Sequence, residues 1–422
     1  MASEMNWFEK PLGEVTNNHD GKRRPVKESE RKKGPFPYYG ASGVVDYVDG
    51  YLFDGSYLLV GEDGENLRSR QTPIAFMAHG RFWVNNHAHI ITGNGEVSTE
   101  YLRYFLQNSD IQPYLTGAVM PKLTQGNLNR IPVRYPLPQY QQAIVGILGS
   151  LDNKIDLNRG INQTLEAMAQ AIFKSWFIDF EPVKAKIAAK LEGRDTLRAA
   201  MSAISGKPDA ELSILPREQF DQLAATAALF PEEMEELDLA EVPKGWSIQR
   251  VGNLLELVYG KALKSTDRKE GSVPVYGSGG ITGYHDTALV SHCSVIVGRK
   301  GTVGSLYWED EPFFPIDTTF YVRPIKSPLT YCYYALQTLG LEKMNTDAAV
   351  PGLNRENVYR LELVRPDISV LQSFDRAVST LRSAIRTNSD LNKTLANLRD
   401  TLLPKLLSGE LSIAELMAED GA

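Results

Sequence analysis

Cysteine is nearly missing: two residues, Cys293 and Cys332, in a chain of 422. That is too few for a disulfide scaffold, and a reducing cytoplasm is the expected setting. Long apolar runs are missing too. No stretch reaches the roughly 18 residues a membrane helix needs, and the opening MASEMNWFEK has no apolar h-region, so neither membrane spanning nor classical secretion is expected. There is no G-x-x-x-x-G-K-[ST] loop, which argues against ATP hydrolysis in this chain. There is no [DNS]-P-P-[YF] tetrapeptide of the kind amino-methyltransferases use; H-E-x-x-H and paired C-x-x-C are missing too, so a structural zinc is unsupported. Net positive charge is lacking as well. The formal charge of −7 is unlike that of a free-standing DNA binder.

The charge is unevenly spread. The stretch 22–34, KRRPVKESERKKG, is strongly basic, whereas 231–242, PEEMEELDLAEV, carries only acids. An acidic total therefore coexists with local phosphate-binding patches and predicts reliance on a more basic partner. At 42% hydrophobic the chain is globular, and its length calls for more than one core.

The chain says much of itself twice. YGASG from Tyr39 returns as YGSGG from Tyr276, and VGEDG (60–64) returns as VGRKG (297–301), placing Gly61 and Gly64 on Gly298 and Gly301. PKLTQGNLNRIPVRYP from Pro121 returns as PGLNRENVYRLELVRP from Pro351, an offset of 230 residues. Trp7 and Leu12-Gly13 align with Trp246, in VPKGW (242–246), and Val251-Gly252. The short segments YLLVG and PIAFMA read as strands, and STEYLRYFLQ reads as a helix opened by Ser98 with Glu100 in its first turn. The shared glycines are expected at turns with φ > 0. GRKGTVG (298–304) lacks the GKS/GKT ending of a phosphate loop, and its counterpart GEDGENL has the opposite charge.

After each repeat comes a long heptad pattern. From Pro138 there is no proline for some forty residues, and Ile144, Ile147, Leu151, Ile155, Ile161, Leu165, Met168 and Ile172 recur at steps dominated by three and four. Forty helical residues give a rod of about 60 Å. The second rod is expected to open at a capping box of Ser369 and Gln372, with a seam of Phe374, Leu381, Ile385, Leu391, Leu395, Leu398 and Leu402, and to end or kink at Pro404. The 230-residue offset carries Leu151 to Leu381, Ile155 to Ile385, Leu165 to Leu395 and Asn158 to Asn388. An asparagine in each apolar seam would weaken the pairing but fix its register.

The expected organisation is a first globular unit (1–135), a first rod (136–182), a helical then acidic insert (183–240) read as a surface appendage, a second globular unit (241–366), and a second rod with its tail (367–422). The fold class is α/β, of the mixed α+β kind: two globular units joined by two long helices packed as an antiparallel coiled coil, with a pseudo-twofold internal repeat that places the units at opposite ends.

His87 and His89 form an H-x-H whose favoured reading is packed or hydrogen-bonded rings rather than a metal site; His292-Cys293 is read as incidental. What remains is recognition chemistry: Lys and Arg for phosphates, and Arg, Lys, Asn, Gln or Ser for base edges. Copy one offers Lys22, Arg23, Arg24, Lys32, Lys33, Arg68, Arg70, Lys122, Gln125 and Asn127. Copy two offers Lys261, Lys264, Arg268, Ser278, Arg299, Lys300, Asn354 and Arg355. These polar residues differ between copies while the apolar frame is kept, as two readers of different sequences should.

The order of parts, together with VPKGW, the two glycine turns, GAVMPKL and DAAVPGL, and QQAIVGILGSLDNKIDLNRGINQTLEAMAQAIFKSWFIDFEP, resembles the specificity subunit of type I restriction-modification enzymes over nearly the whole chain. The resemblance implies that each globular unit is a target recognition domain reading half of a bipartite sequence in double-stranded DNA. It implies rods that fix the gap and dock two methylation subunits, through Leu151, Ile155, Asn158, Leu165, Leu381, Ile385, Asn388 and Leu395, with a restriction subunit joining through them. It further implies no catalysis, metal or cofactor in this chain, S-adenosylmethionine on the methylation partner, and ATP and Mg on the restriction partner. Gly352 departs from the repeat, since it leaves no lysine opposite Lys122. The alternatives are a stand-alone DNA-modifying enzyme, which would bind S-adenosylmethionine itself, and a DNA-binding adaptor or regulator outside restriction.

Overall fold

The computed structural model describes residues 6–237, 240–345, 352–411 and 413. The chain forms two compact units: Met1–Asn158 with Asp390–Ala422, and Arg159–Ser389. The division falls inside the two long helices, Pro138–Phe177 and Ile368–Ser408, and not at their ends, where the composition changes.

In unit one, strands β1 (Trp7–Pro11) to β8 (Pro132–Pro136) include β2 (Thr16–Asn18), β3 (Lys33–Gly40), β4 (Gly43–Val48), β5 (Phe53–Gly61), β6 (Ala75–Val84) and β7 (Ala88–Gly93). A six-stranded sheet runs β2-β7-β5-β6-β3-β4, and β1 pairs separately with β8. YLLVG and PIAFMA fall on β5 and β6, as read from their β-branched and aromatic content. Ser98 caps the helix Thr99–Asn108 by accepting from the Tyr101 N–H at 3.2 Å. One face of the sheet packs Leu58, Val60 and Ile91 against Tyr101, Leu102 and Leu106 of that helix, with Ile144 and Leu148 of the first long helix in the same core.

Unit two repeats this plan. Its strands are β9 (Met234–Leu237), β10 (Ala240–Pro243), β11 (Ser247–Arg250), β12 (Leu255–Tyr259), β13 (Val273–Gly277), β14 (Gly280–His285), β15 (Ser294–Gly298), β16 (Leu306–Glu309), β17 (Phe314–Pro315), β18 (Thr319–Pro324) and β19 (Glu362–Arg365). The order β12-β18-β15-β16 reproduces β2-β7-β5-β6, and β11-β19 reproduces β1-β8. Where β6 is one strand in unit one, unit two has β16 and β17 separated by the turn 310–313, which splits the sheet in two. The parallel pairing of Tyr39 with Val84 persists as Tyr276 with Pro315.

The shared glycines divide by reason. Gly64 and Gly301 have φ of +110° and +85°, the left-handed conformation expected. Gly61 and Gly298 do not; a Cβ at Gly298 would lie 2.2 Å from the Thr302 carbonyl, which excludes a side chain, and one at Gly61 would press on the Ala41 carbonyl at 3.0 Å.

Within each unit the long helices pack antiparallel: contacts run from Asp152–Arg399 to Asn158–Asn392 in unit one, and from Asn162–Asn388 to Glu166–Arg382 in unit two. The seam is a stricter heptad than apolar residues alone indicate. Ile161 and Met168 are exposed, as are Leu391 and Leu398, and Asn162, Ala169, Asn392 and Arg399 take the inward positions beside them. Asn158 and Asn388 do not meet each other. Asn158 Nδ2 donates to Asn392 Oδ1, and Asn388 Nδ2 donates to Asn162 Oδ1, both at 2.9 Å. The same 230-residue offset carries Asn158 to Asn388 and Asn162 to Asn392, so each unit holds one copy of the same amide pair. The second long helix begins one residue before Ser369. Asp367 rather than Ser369 supplies the first acceptor, its carbonyl taking the N–H groups of Val370 and Leu371. Pro404 lies inside the helix, which continues to Ser408.

The segment 183–240 is helical as expected, over Glu181–Leu191, Thr196–Ser205, Asp209–Leu212 and Arg217–Ala228, and its acidic end forms the β9–β10 hairpin. It is not a surface appendage. Val183 and Phe230 are buried in the unit-two core with Trp176 and Trp246, and buried Lys186 donates to the Phe230 carbonyl at 2.7 Å, with burial pushing its pKa down. The first long helix ends at Phe177, earlier than the apolar pattern indicates, and Phe180 at φ +54° turns the chain into the insert. Phe374 sits at the centre of this core against Phe173, Trp176, Phe177 and Tyr334. Phe374→Ala is expected to cost about 3–5 kcal/mol, read as a lowered denaturation midpoint of unit two.

Candidate nucleic-acid interface

In both units the glycine loop after the central strand meets the PKL/PGL segment through the same backbone bond: Leu123 N–H to the Glu62 carbonyl in unit one, and Leu353 N–H to the Arg299 carbonyl in unit two, each 2.8 Å. A short helix follows each segment, Gln125–Asn129 capped by Thr124 and Arg355–Arg360 capped by Asn354. The repeat therefore presents the same loop pair twice, with different side chains on it. Pro351 of PGL and the preceding 347–350 lie outside the described residues.

In unit one the position after the first glycine is Glu62. Its carboxylate accepts from Arg23 Nη1 at 2.6 Å and pairs with Lys122 Nζ at 3.2 Å. Burial raises the Glu62 pKa, but Arg23, Lys122 and nearby His89 together bring it below the ordinary range. Asp20 behaves alike: burial raises it, and the His89 bond, the Ile90 N–H and Arg23 outweigh that. His89 is buried with Nδ1 2.6 Å from Asp20 and Nε2 2.7 Å from the Leu123 carbonyl, so both ring nitrogens are engaged and the hydrogen-bonded reading of the H-x-H holds for this ring. His87 pairs with Asp63 at 2.9 Å.

In unit two the same loop position is Arg299, and no carboxylate among the described residues pairs with it. Its guanidinium lies 4.8 Å above the Tyr259 ring and 5.8 Å from that of Phe320, with Nη1 donating to the Asp317 carbonyl at 3.0 Å. Arg355 lies 5.1 Å from the same Tyr259 ring. Its Nε is buried without a hydrogen-bond acceptor among the described residues, the Glu356 carboxylate standing off at 3.6 Å. Together with Lys300, Gly352 and Asn354 these residues line an open cavity of about 350 Å³. Gly352, where unit one has Lys122, leaves that space unfilled. Two guanidiniums held against one aromatic ring beside a lysine make a site for phosphate oxygens or for the acceptor edge of guanine.

The other residues proposed from the sequence sort by what they already hold. Arg68 donates to the Gly117 carbonyl, Arg70 to those of Gln107 and Ser109, Asn127 to that of Tyr114, and Arg268 to that of Thr282. Ser278 Oγ accepts from the Thr302 N–H, and Asn354 is spent on its helix cap. Arg23 is sequestered between Asp20 and Glu62. By contrast Lys22, Arg24, Lys32, Lys33, Gln125, Lys261, Lys264 and Lys300 are exposed, and their side chains make no ion pair or hydrogen bond among the described residues. Tyr259 and Phe320, which form the stacking floor, were not among the candidates; an aromatic beside a basic loop is the signal that could have found them.

Cys332 is buried and Cys293 half-buried, and burial pushes both thiols up to about 12, so neither has the lowered pKa of a reactive nucleophile. Among the described residues there is no group of three or more His, Cys, Asp and Glu placed to hold a metal, and no helix long and apolar enough to cross a membrane.

The sequence pattern described as the type I restriction modification DNA specificity domain matches residues 4–167 and again 243–395. The specificity subunit of the type I restriction enzyme HindI of Haemophilus influenzae is 30% identical over 355 residues, 75% of this chain and 76% of that one. The MjaIX specificity subunit of Methanocaldococcus jannaschii is 23% identical, across 97% of this chain and 95% of its own. Among solved structures, the S subunit of the type I restriction-modification system of M. genitalium superposes with a TM-score of 0.52 at 15% identity, covering 96% of both chains, a likeness of fold. With the domain found twice and the loop pair repeated in both units, this chain belongs to the family of DNA specificity subunits of type I restriction-modification systems, which recognise DNA and do no catalysis themselves.

Proposed function

We propose that this chain reads a bipartite sequence in double-stranded DNA, one half-site per unit, and that it docks two methylation subunits on the paired helices and a restriction subunit through them. The observation that carries this is the repeated loop pair with exchanged chemistry: Glu62, neutralised by Arg23 and Lys122, stands where unit two has Arg299, and Gln125 stands where unit two has Arg355. A scaffold kept twice with its charged side chains replaced fits two readers of different half-sites. S-adenosylmethionine is assigned to the methylation partner and ATP with Mg to the restriction partner; this chain contributes positioning. The cytoplasm, where the partners and the DNA are, is the expected compartment. The net charge of −7 fits a reader that gains most of its phosphate attraction from its partners.

The test is co-expression with the methylation subunit and mapping of the modified adenines. Exchanging residues 1–135 for the equivalent unit of another family member should change one half-site and leave the other intact. A change in both halves, or binding of S-adenosylmethionine by the isolated chain, would refute the assignment.

A further inference from the structure

The most exposed large apolar side chains of unit one sit together at a loop tip: Val119 is 95% exposed and Met120 62%. The loop is rigid below that tip. Thr116 and Lys122 exchange two backbone bonds, at 2.8 and 2.7 Å, and close the loop like a clasp. Gly117, at φ +86°, doubles the chain back so tightly that a Cβ there would lie 2.1 Å from the Met120 carbonyl. Buried Pro121 accepts from the Gly64 N–H at 3.1 Å, and Arg68 donates to the Gly117 carbonyl at 2.9 Å. Two bare apolar side chains are thus held on a fixed stalk, with the cationic groups of Arg68 and Lys122 at its base.

Solvent exposure of this kind marks a surface that something covers, and the sequence keeps an apolar pair before the proline in both copies, Val119-Met120 in GAVMP and Ala349-Val350 in AAVP. Side chains that differ between the copies suit the reading of different bases. An element common to both suits a task common to both half-sites. On the function proposed above, that common task is to bring an adenine out of its stack for methylation, which costs unpairing and unstacking. Apolar wedges, methionine among them, are what proteins insert between base steps, with flanking cations on the phosphates.

We propose that Val119 and Met120 form a wedge that enters the DNA stack at the half-site of unit one, independently of its sequence, and occupies the space vacated by the displaced base. The inference rests on the reader function. The rigid stalk carries it further than docking onto a partner protein, because a wedge must not yield when it meets the stack.

The experiment uses the complex of this chain with its methylation subunits and duplexes carrying the mapped target. One duplex is fully paired, and the other has a mismatch opposite the adenine of unit one's half-site. The variant Val119→Ser with Met120→Gln should bind the paired duplex about tenfold more weakly, and should recover to within about twofold of the unaltered complex on the mismatched duplex, where the unstacking cost is already reduced. Met120→Leu, which keeps the apolar bulk, should behave as the unaltered chain. Equal loss on both duplexes overturns the wedge. Failure of the double variant to assemble with the methylation subunits overturns it in favour of a protein contact. If the unaltered complex does not distinguish its mapped target from a scrambled duplex, the reader function falls, and the wedge with it.

Discussion

Replacing Arg299 and Arg355 together by alanine should lower the affinity of the assembled complex for its target by about two orders of magnitude, at 1–3 kcal/mol per direct contact. The two guanidiniums share the Tyr259 ring, at 4.8 and 5.1 Å, and that contact holds both side chains over the cavity before DNA arrives. Little ordering entropy is then left for binding to spend. Single variants separate two kinds of contact. Loss of a base contact relaxes the half-site at one position, seen as extra modified adenines in a methylation map. Loss of a phosphate contact weakens all sequences alike and reduces the salt slope by about one. Exposed Lys261 and Lys264, unstacked and unpaired among the described residues, should show only the second behaviour. An affinity unchanged in the double variant would remove this cavity from the interface.

Much of this architecture is legible from the sequence because the chain repeats its own local rules. The Ser98 cap, the strands YLLVG and PIAFMA, and the left-handed glycines at 64 and 301 each depend on neighbours within a few residues. Features that depend on distant partners are not legible. Arg23 looks like a phosphate contact until Glu62, 39 residues on, is seen to hold it, and Arg70 until the carbonyls of Gln107 and Ser109 appear. The coiled-coil seam misleads for a related reason. Ile161 and Met168 are apolar letters at nearly the right spacing, yet Asn162 and Ala169 point inward. An asparagine is readable as a seam residue only once its partner on the other helix is known. The insert hides its role likewise, since Phe230 and Val183 enter the core through contacts with Trp176 and Trp246, which no local pattern announces.

Asp152→Ala should be strongly damaging to unit one, costing about 3 kcal/mol or more against a typical total of about 5–15 kcal/mol. Asp152 is 8% exposed and accepts three bonds: Tyr104 Oη at 2.8 Å, Arg103 Nη2 at 2.6 Å and Arg399 Nη1 at 2.8 Å. It thereby ties the helix Thr99–Asn108 of the globular part to both long helices at one point. Alanine leaves Arg399 with only the exposed Asp400 carboxylate, and Arg103 and Tyr104 without their shared acceptor, which is worse than removing the whole network. Tyr104→Phe removes only one neutral donor and should cost about 1 kcal/mol. Burial alone would raise the Asp152 pKa, but the bonds from Arg399 and Tyr104 and the charges of Arg103 and Arg399 bring it below the ordinary range. The unfolded chain therefore binds this proton at higher pH than the folded one. The stabilisation is complete above the unfolded carboxylate value of about 4, and is lost as pH falls through the lowered folded value. Asp152→Asn should flatten that acid-side slope while keeping part of the hydrogen bonding. Hydrogen exchange along Thr99–Asn108 isolates unit one from the rest of the chain, and protection there that is unaltered in Asp152→Ala would refute the tie. Unit two makes its own version with Tyr334 and Arg382 on Glu166, at 3.2 and 2.8 Å. The repeat offset places Arg382, not an acid, opposite Asp152, so the charge order along the helices is reversed between the units. What the duplication kept is a tyrosine fastened to a buried ion pair, and the carboxylate that anchors it has changed place.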